Sequence, residues 1–316
     1  MLRKTNMTTI ILPSLHLSED FQAVRDSFPE MNTPCLSRLC AYAKVKHTSH
    51  NTTHLMSNTF SGSLKALALR DLDLPLSTPA CFLSPVMQHA DMHSVQVMSG
   101  ADLSLSWTQA HRIVNVINDF IQEDGLIAHV YRPDLWLMTG ELPTCWNAPD
   151  IWSLNGRVNG NDKITGEDAS AISKLLTELQ MLLHLPSTEN QAVNSIWLWQ
   201  DIQGLADAST VSAGAISWLP DDKIISIEDF SWKSIKNTHA TVIYCDTLQK
   251  AIQNQNMAQW LEKLHLLEAE LFQPLLEDFL SGSLKVCLMS EQRTLNLSFW
   301  HRFWQRRKWT YQGFLP

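Results

Sequence analysis

Short apolar runs separated by longer amphipathic stretches dominate this 316-residue chain, and that alternation is the pattern of an α/β fold. Ile10 to Leu12 reads as a first strand, and Pro34 to Lys44 as a helix with Leu36, Leu39 and Cys40 on one face. Residues 47 to 63, rich in Thr, Ser, Asn and His, read as an irregular loop. Ser94 to Met98 is strand-like. The spacing then predicts a helix from Trp107 to Gln122, with Ser106 as N-cap, Gln109 completing a capping box and Gly125 just past the end. Ala110, Ile113, Val114, Ile117, Phe120 and Ile121 form its apolar face. Ile127 to Tyr131 and Leu135 to Met138 suit a hairpin around Arg132-Pro133-Asp134.

Residues 155 to 166 read as a Gly-rich loop, and Thr165 to His184 as a helix stopped by Pro186. Val193 to Trp199, Ala215 to Leu219 and Ala240 to Cys245 read as strands. A long helix is expected over Met257 to Leu280, kinked before Pro274, followed by a strand pair at Leu284 to Met289 and Thr294 to Ser298.

Twelve Trp residues in a chain that is 45% hydrophobic imply a large core. A net charge of −8 argues against broad nucleic-acid binding, because phosphates repel most of such a surface. The six cysteines form no CxxC pair, which fits reduced thiols rather than a disulfide scaffold. No run approaches the roughly 20 apolar residues of a membrane span. The apolar run behind the basic start Met1 to Lys4 is too short for a signal peptide. A cytoplasmic location is the expectation.

The candidate motifs each have a plain alternative. His89 and His93 fall at i, i+4, but the segment follows Pro85 and reads as a hydrated turn. His47, His50 and His54 sit among turn-forming residues and suggest adventitious metal affinity only. There is no GxGxxG, GxxxxGK[ST] or GxSxG. The segment Phe299 to Trp309 interleaves aromatics with cations. It suits a packed terminal helix, a contact to a protein or ligand through Trp300, Arg302, Trp304, Arg306 and Arg307, an anionic membrane surface, or nucleic acid.

Several segments together resemble a known family. Thr33 to Leu39 is similar to the TPNLDRLA segment of the alkaline-phosphatase superfamily. Gly62 to Leu69 followed by Asp73 resembles the GSDVANLSLLGYDP stretch of archaeal-type cofactor-independent phosphoglycerate mutases. Leu176 to His184, Val193 to Trp199 and Phe303 to Lys308 resemble, in the same order, a bacterial RpfE-type regulatory family of phosphoglycerate-mutase-like proteins. Gln200-Asp201-Ile202 departs from that family's glycine run.

The resemblance implies an alkaline-phosphatase-like core sheet with helices on both faces, built from 1–84 and 216–316, and an inserted smaller α+β domain over 85–215. It implies a Ser nucleophile at Ser63 and a metal ligand at Asp246. Elsewhere the implied ligands are replaced: Pro13-Ser14 stands for an Asp-Gly pair, Leu64 for an Asp, and Ser290-Glu291-Gln292 for a GDH element. The expectation is therefore a non-catalytic protein with no cofactor and a regulatory or partner-binding role, its partner a protein or a small phosphorylated metabolite. Two alternatives stay open. One is an Mn- or Zn-dependent mutase or phosphatase using Ser63. The other is a metabolite sensor with a pocket near Asn194 and Trp199.

Overall fold

The computed structural model describes residues 7–17, 31–90, 95–154, 157–158, 164–184, 192–205, 210–213, 224–225, 231–237, 241–253, 256–282, 284–298, 300, 303, 310–313 and 315. In chain order the strands are β1 (Thr8–Ile11), β2 (Lys44–His47), β3 (Ser61–Ser63), β4 (Ala80–Ala90), β5 (Val95–Ser99), β6 (Leu126–Arg132), β7 (Leu135–Gly140), β8 (Arg157–Val158), β9 (Ser195–Trp199), β10 (Gln203–Leu205), β11 (Thr210–Ala213), β12 (Ile224–Ile225), β13 (Val242–Cys245), β14 (Val286–Met289) and β15 (Arg293–Leu297). The α-helices are α1 (Pro34–Tyr42), α2 (Thr52–Ser57), α3 (Leu64–Asp71), α4 (Trp107–Ile121), α5 (Ala169–Leu183), α6 (Trp232–Asn237), α7 (Thr247–Gln253), α8 (Met257–Leu267) and α9 (Gln273–Ser281). The fold is mixed α/β. Among the described residues no helix is long and apolar enough to cross a membrane.

The chain divides into two compact units, Met1–Phe60 with Ala206–Pro316, and Ser61–Leu205. The boundaries expected after 84 and 215 differ from these. Residues 61–84 fall in the second unit because β3 pairs with β10 and β4 runs straight through position 84.

The first unit holds a seven-stranded sheet in the order β12-β11-β13-β1-β14-β15-β2. β1 runs parallel to both β13 and β14, whereas β15 is antiparallel to β14 and to β2. Central parallel strands are buried on both faces, and accordingly Ile10, Ile11, Ile243 and Leu288 are fully buried. The described edge strand β2 carries exposed Lys44 and Lys46, charges that discourage edge-to-edge pairing. The expected strand at 215–219 lies outside the described residues, as does His93.

Helix α1 starts with Pro34 in its first turn and buries Leu36, Leu39 and Cys40. Its N-terminal amides are capped from far along the chain. The buried Glu268 carboxylate accepts from Cys35 N and, at 3.1 Å, from Leu36 N. Burial first, and then the Glu268 charge, push the Cys35 thiol up to about 11. Glu268 opens a π-helical turn, Glu268–Phe272, between α8 and α9. The long helix expected to kink before Pro274 is thus interrupted by a widened turn that accommodates the proline's missing N–H.

Two further expectations are corrected in this unit and the next. Residues 47–63 are not an irregular loop. Asn51 caps α2 by accepting from His54 N at 2.9 Å, and Leu55 and Met56 are buried. His89 lies not in a hydrated turn but in β4, an 11-residue strand. On one edge of β4, Pro85 falls between the stretch paired to β7 (Ala80–Leu83) and the stretch paired to β5 (Val86–Ala90), so no ladder bond is lost there, while on the other edge it lies opposite Ile196 of β9.

The second unit contains a sheet in the order β6-β7-β4-β5-β8, with β9 also paired to β4, and a separate β3–β10 ribbon. The capping box on α4 is present, with Ser106 Oγ accepting from Gln109 N and Gln109 Oε1 accepting from Ser106 N at 2.9 Å. Gly125 follows in the left-handed conformation at φ 72°. Phe120, expected on the inward face, is 40% exposed, because it sits at the margin of the stripe through Ile113, Val114, Ile117 and Ile121.

Replacing Glu268 by Ala leaves two amides of α1, the buried one of Leu36 and the half-buried one of Cys35, without an acceptor. The variant is expected to lose ~1–3 kcal/mol of stability for each orphaned group, read from urea unfolding.

Candidate functional site

Open α/β sheets bind ligands beyond the carboxyl ends of their parallel strands. In the first unit β1, β13 and β14 end there, and the chain continues into Leu12-Pro13-Ser14, Asp246 and Ser290-Glu291. Ser14 adopts a left-handed backbone with φ 60°, which turns its N–H toward Glu291. That N–H is shared by the two carboxylate oxygens, at 2.9 and 3.1 Å. Ser290, fully buried, donates its hydroxyl to Glu291 Oε2 at 2.7 Å. Burial raises the Glu291 carboxyl above its ordinary value, and the bonds from Ser290 and Ser14 oppose that shift. Trp260 Nε1 donates to Ser14 O at 3.2 Å, fixing the turn from a helix of the same unit.

Residues 310–313 and 315 strap across the loop that follows β1. Tyr311 is fully buried; its hydroxyl donates to Leu15 O and its N–H to Ser37 Oγ at 3.0 Å. Leu17 N donates to Gly313 O at 2.9 Å, and Leu315 N to His16 Nδ1 at 3.0 Å. At Gly313 (φ +85°) a Cβ would meet Leu17 Cδ1 at 2.8 Å, so both conformation and space favour glycine there. Burial raises the Tyr311 phenol well above its ordinary value, with Cys40 and Glu291 adding to the effect. Burial lowers His16 to about 4, assisted by the positive charge of Arg293 and opposed by a hydrogen bond to Gln292.

Asp246 is at this end of the sheet, 9% exposed, and pairs with Lys250 at 3.1 Å. Its carbonyl accepts from Lys250 N, so it opens helix α7. Among the described residues no three His, Cys, Asp or Glu side chains are grouped to hold a metal ion. His50 and His54 stack with ring centroids 4.0 Å apart.

Ser63 belongs to the second unit, and Asp246 to the first. Ser63 is the N-cap of α3: its oxygen accepts from Ala66 N at 2.9 Å and its hydroxyl donates to Asp201 Oδ2 at 2.7 Å. Asp201 also accepts from Lys65 N at 2.8 Å and from Gln203 Nε2 at 2.9 Å. Leu64 beside it is fully buried.

Asn194 uses its side-chain amide as a one-residue strand. It accepts from Gln88 N at 2.7 Å and donates to Gln88 O at 2.9 Å, continuing the pairing of β9 with β4. Trp199 is fully buried, stacked on Phe82 at 4.4 Å, with Nε1 donating to Ser84 Oγ at 2.9 Å. Both side chains are placed to organise the sheet.

Trp300 and Phe303 are 69% and 59% exposed, with ring centroids 6.4 Å apart. Arg302, Trp304, Arg306 and Arg307 lie outside the described residues.

The sequence reading missed the roles of Asp201, Glu291, His16 and Tyr311. Each acts through a partner distant in the chain. Only the sharp change of character at Gln200-Asp201 and at Ser290-Glu291 hinted at them.

No protein-family model matches the chain, and no curated protein matches it. Among solved structures it is similar to the PH0037 protein from Pyrococcus horikoshii, at 10% identity and a TM-score of 0.49, over 98% of this chain and 92% of that one. It is also similar to the cofactor-independent phosphoglycerate mutase from Thermoplasma acidophilum DSM 1728, at 8% identity and a TM-score of 0.37, over 92% of this chain and 89% of that one. Neither likeness bears on the chemistry of the site.

Two outcomes are expected. Ser63→Ala removes an N-cap and should lower stability by ~0.5–2 kcal/mol, seen as an earlier urea midpoint. His16 titrates at about 4 when folded and at about 6.5 when unfolded. Its contribution to stability is therefore full above the unfolded value and is lost as pH falls toward the folded one. Between pH 7.5 and 4.5 the wild type should lose more stability than His16→Gln; equal losses would remove His16 from the account.

Proposed function

We propose that this chain is a non-catalytic, phosphoglycerate-mutase-like protein with a regulatory or partner-binding role. The observation that carries this reading is the Glu291 carboxylate. It stands where the family resemblance expects a metal-binding element, yet its oxygens take the Ser14 N–H and the Ser290 hydroxyl. A buried carboxylate compensated by neutral donors, with its pKa raised, is stable without a cation. Two neighbouring facts support it. Asp246 already has Lys250 as counter-ion, and Leu64, at the position of an expected Asp, is part of the core. The Tyr311 strap adds a third, since a phenol of the chain itself is buried against the loop after β1, where it feels the Glu291 charge.

The exposed Trp300 and Phe303 support a partner-binding role, because exposed aromatics near arginines are the residue types that anchor protein contacts. Arg302, Trp304, Arg306 and Arg307 share that segment in the sequence.

The test is metal and turnover. Protein loaded with Mn²⁺ or Zn²⁺ and freed of excess should retain no stoichiometric ion. It should also give no EDTA-sensitive turnover of 3-phosphoglycerate. Tight stoichiometric metal, with activity abolished in Ser63→Ala, would overturn the reading. For the partner role, a Trp300→Ala/Phe303→Ala double variant is the informative change, expected to shift stability by less than ~0.5 kcal/mol. Truncation after Ser298 would instead delete Tyr311 from the core and cost ~3–5 kcal/mol.

A further inference from the structure

We infer that the Arg293 guanidinium, near His16 at the β14–β15 turn, binds a small oxyanion, the carboxylate or phosphate group of a free ligand. Arg293 Nε is buried and has no hydrogen-bond partner. Its Nη1 donates to Gln292 O at 2.9 Å. Among the described residues no carboxylate forms an ion pair with it. Glu291, two positions earlier, is committed to Ser14 and Ser290.

An unsatisfied buried donor is costly, and more so when it belongs to a cation. A planar guanidinium with a free Nε edge is the side chain best shaped for an oxyanion. The surroundings agree. His47 faces Arg293 across the β15–β2 pairing, so a second imidazole is near. The Thr48 hydroxyl, one residue further on, is also buried without a partner, although Thr48 N donates to Gln292 O at 3.0 Å. The charge of Arg293 is felt at His16, whose imidazole it helps to keep neutral.

This inference goes beyond the reading above and does not depend on it, and its test is run in EDTA so that no metal contributes. Full-length protein is titrated with sodium phosphate or sodium acetate against sodium chloride at constant ionic strength. The thermal midpoint and the NMR titration of the His16 ring are followed. Saturable binding of one anion should raise the midpoint and move the His16 pKa upward from about 4, because the ligand cancels the field of Arg293. A response to phosphate alone assigns a phosphate group, and a response to acetate alone a carboxylate. Arg293→Gln should lose the anion-dependent shift while its unliganded midpoint stays equal or rises, since an orphan donor has gone. Arg293→Lys, which keeps the charge without the Nε edge, should bind at least about tenfold more weakly. Absence of a saturable response to either anion in the wild type overturns the inference, whatever the variants do. So does an equal response in Arg293→Gln.

Discussion

The organisation of the first unit depends on one buried carboxylate and the backbone that turns to meet it. Glu291 leaves β14 at the point where β1 gives way to Ser14, and its oxygens hold the Ser14 amide and the Ser290 hydroxyl together. A lone carboxylate in an apolar setting would be heavily penalised. Here the penalty is divided between hydrogen bonds and an upward-shifted pKa. The left-handed Ser14, the indole of Trp260 on Ser14 O, and the Tyr311 strap are the surrounding pieces that keep this geometry in place.

Much of the fold was legible because the signals were local. The Ser106–Gln109 box, the Gly125 cap and the hairpin around Pro133 each rest on residues within a few positions of one another. Other elements were hidden by residues of contrary propensity. Pro85 disguised β4, whose proline falls in the gap between the β7 and β5 pairings on one edge while β9 runs past it on the other. Turn-forming residues disguised α2, although one of them, Asn51, is its cap. Of the candidate site, the replacements at Pro13-Ser14, Leu64 and Ser290-Glu291-Gln292 could be read from the sequence. What they bond to could not. Ser63 meets Asp201, Cys35 meets Glu268 and Tyr311 meets Leu15 only after the chain has folded back on itself.

Two asparagines in the second unit show how side-chain amides can stand in for missing strand. Asn194 satisfies both polar groups of Gln88 just before β9 begins. Asn118, on α4, does the same for Ala128 on the edge strand β6, accepting from Ala128 N at 2.7 Å and donating to Ala128 O at 3.0 Å. In each case a backbone amide and carbonyl that would otherwise recruit a foreign strand are occupied internally. Asn194 in this way serves the sheet.

The sheet order of the first unit also dictates a timetable. β1 finds its neighbours only in Val242–Cys245 and Val286–Met289, with the whole of Ser61–Leu205 between. Closing so long a loop is entropically costly, and contacts of high sequence separation slow folding. On a ribosome, where chains emerge N-terminus first, the uninterrupted unit can complete its hydrogen bonds while β1 still lacks both partners. The nascent first unit would then keep apolar Ile10, Ile11 and Leu12 uncovered until the last strands appear, a stretch of exposure in which chaperones have something to hold.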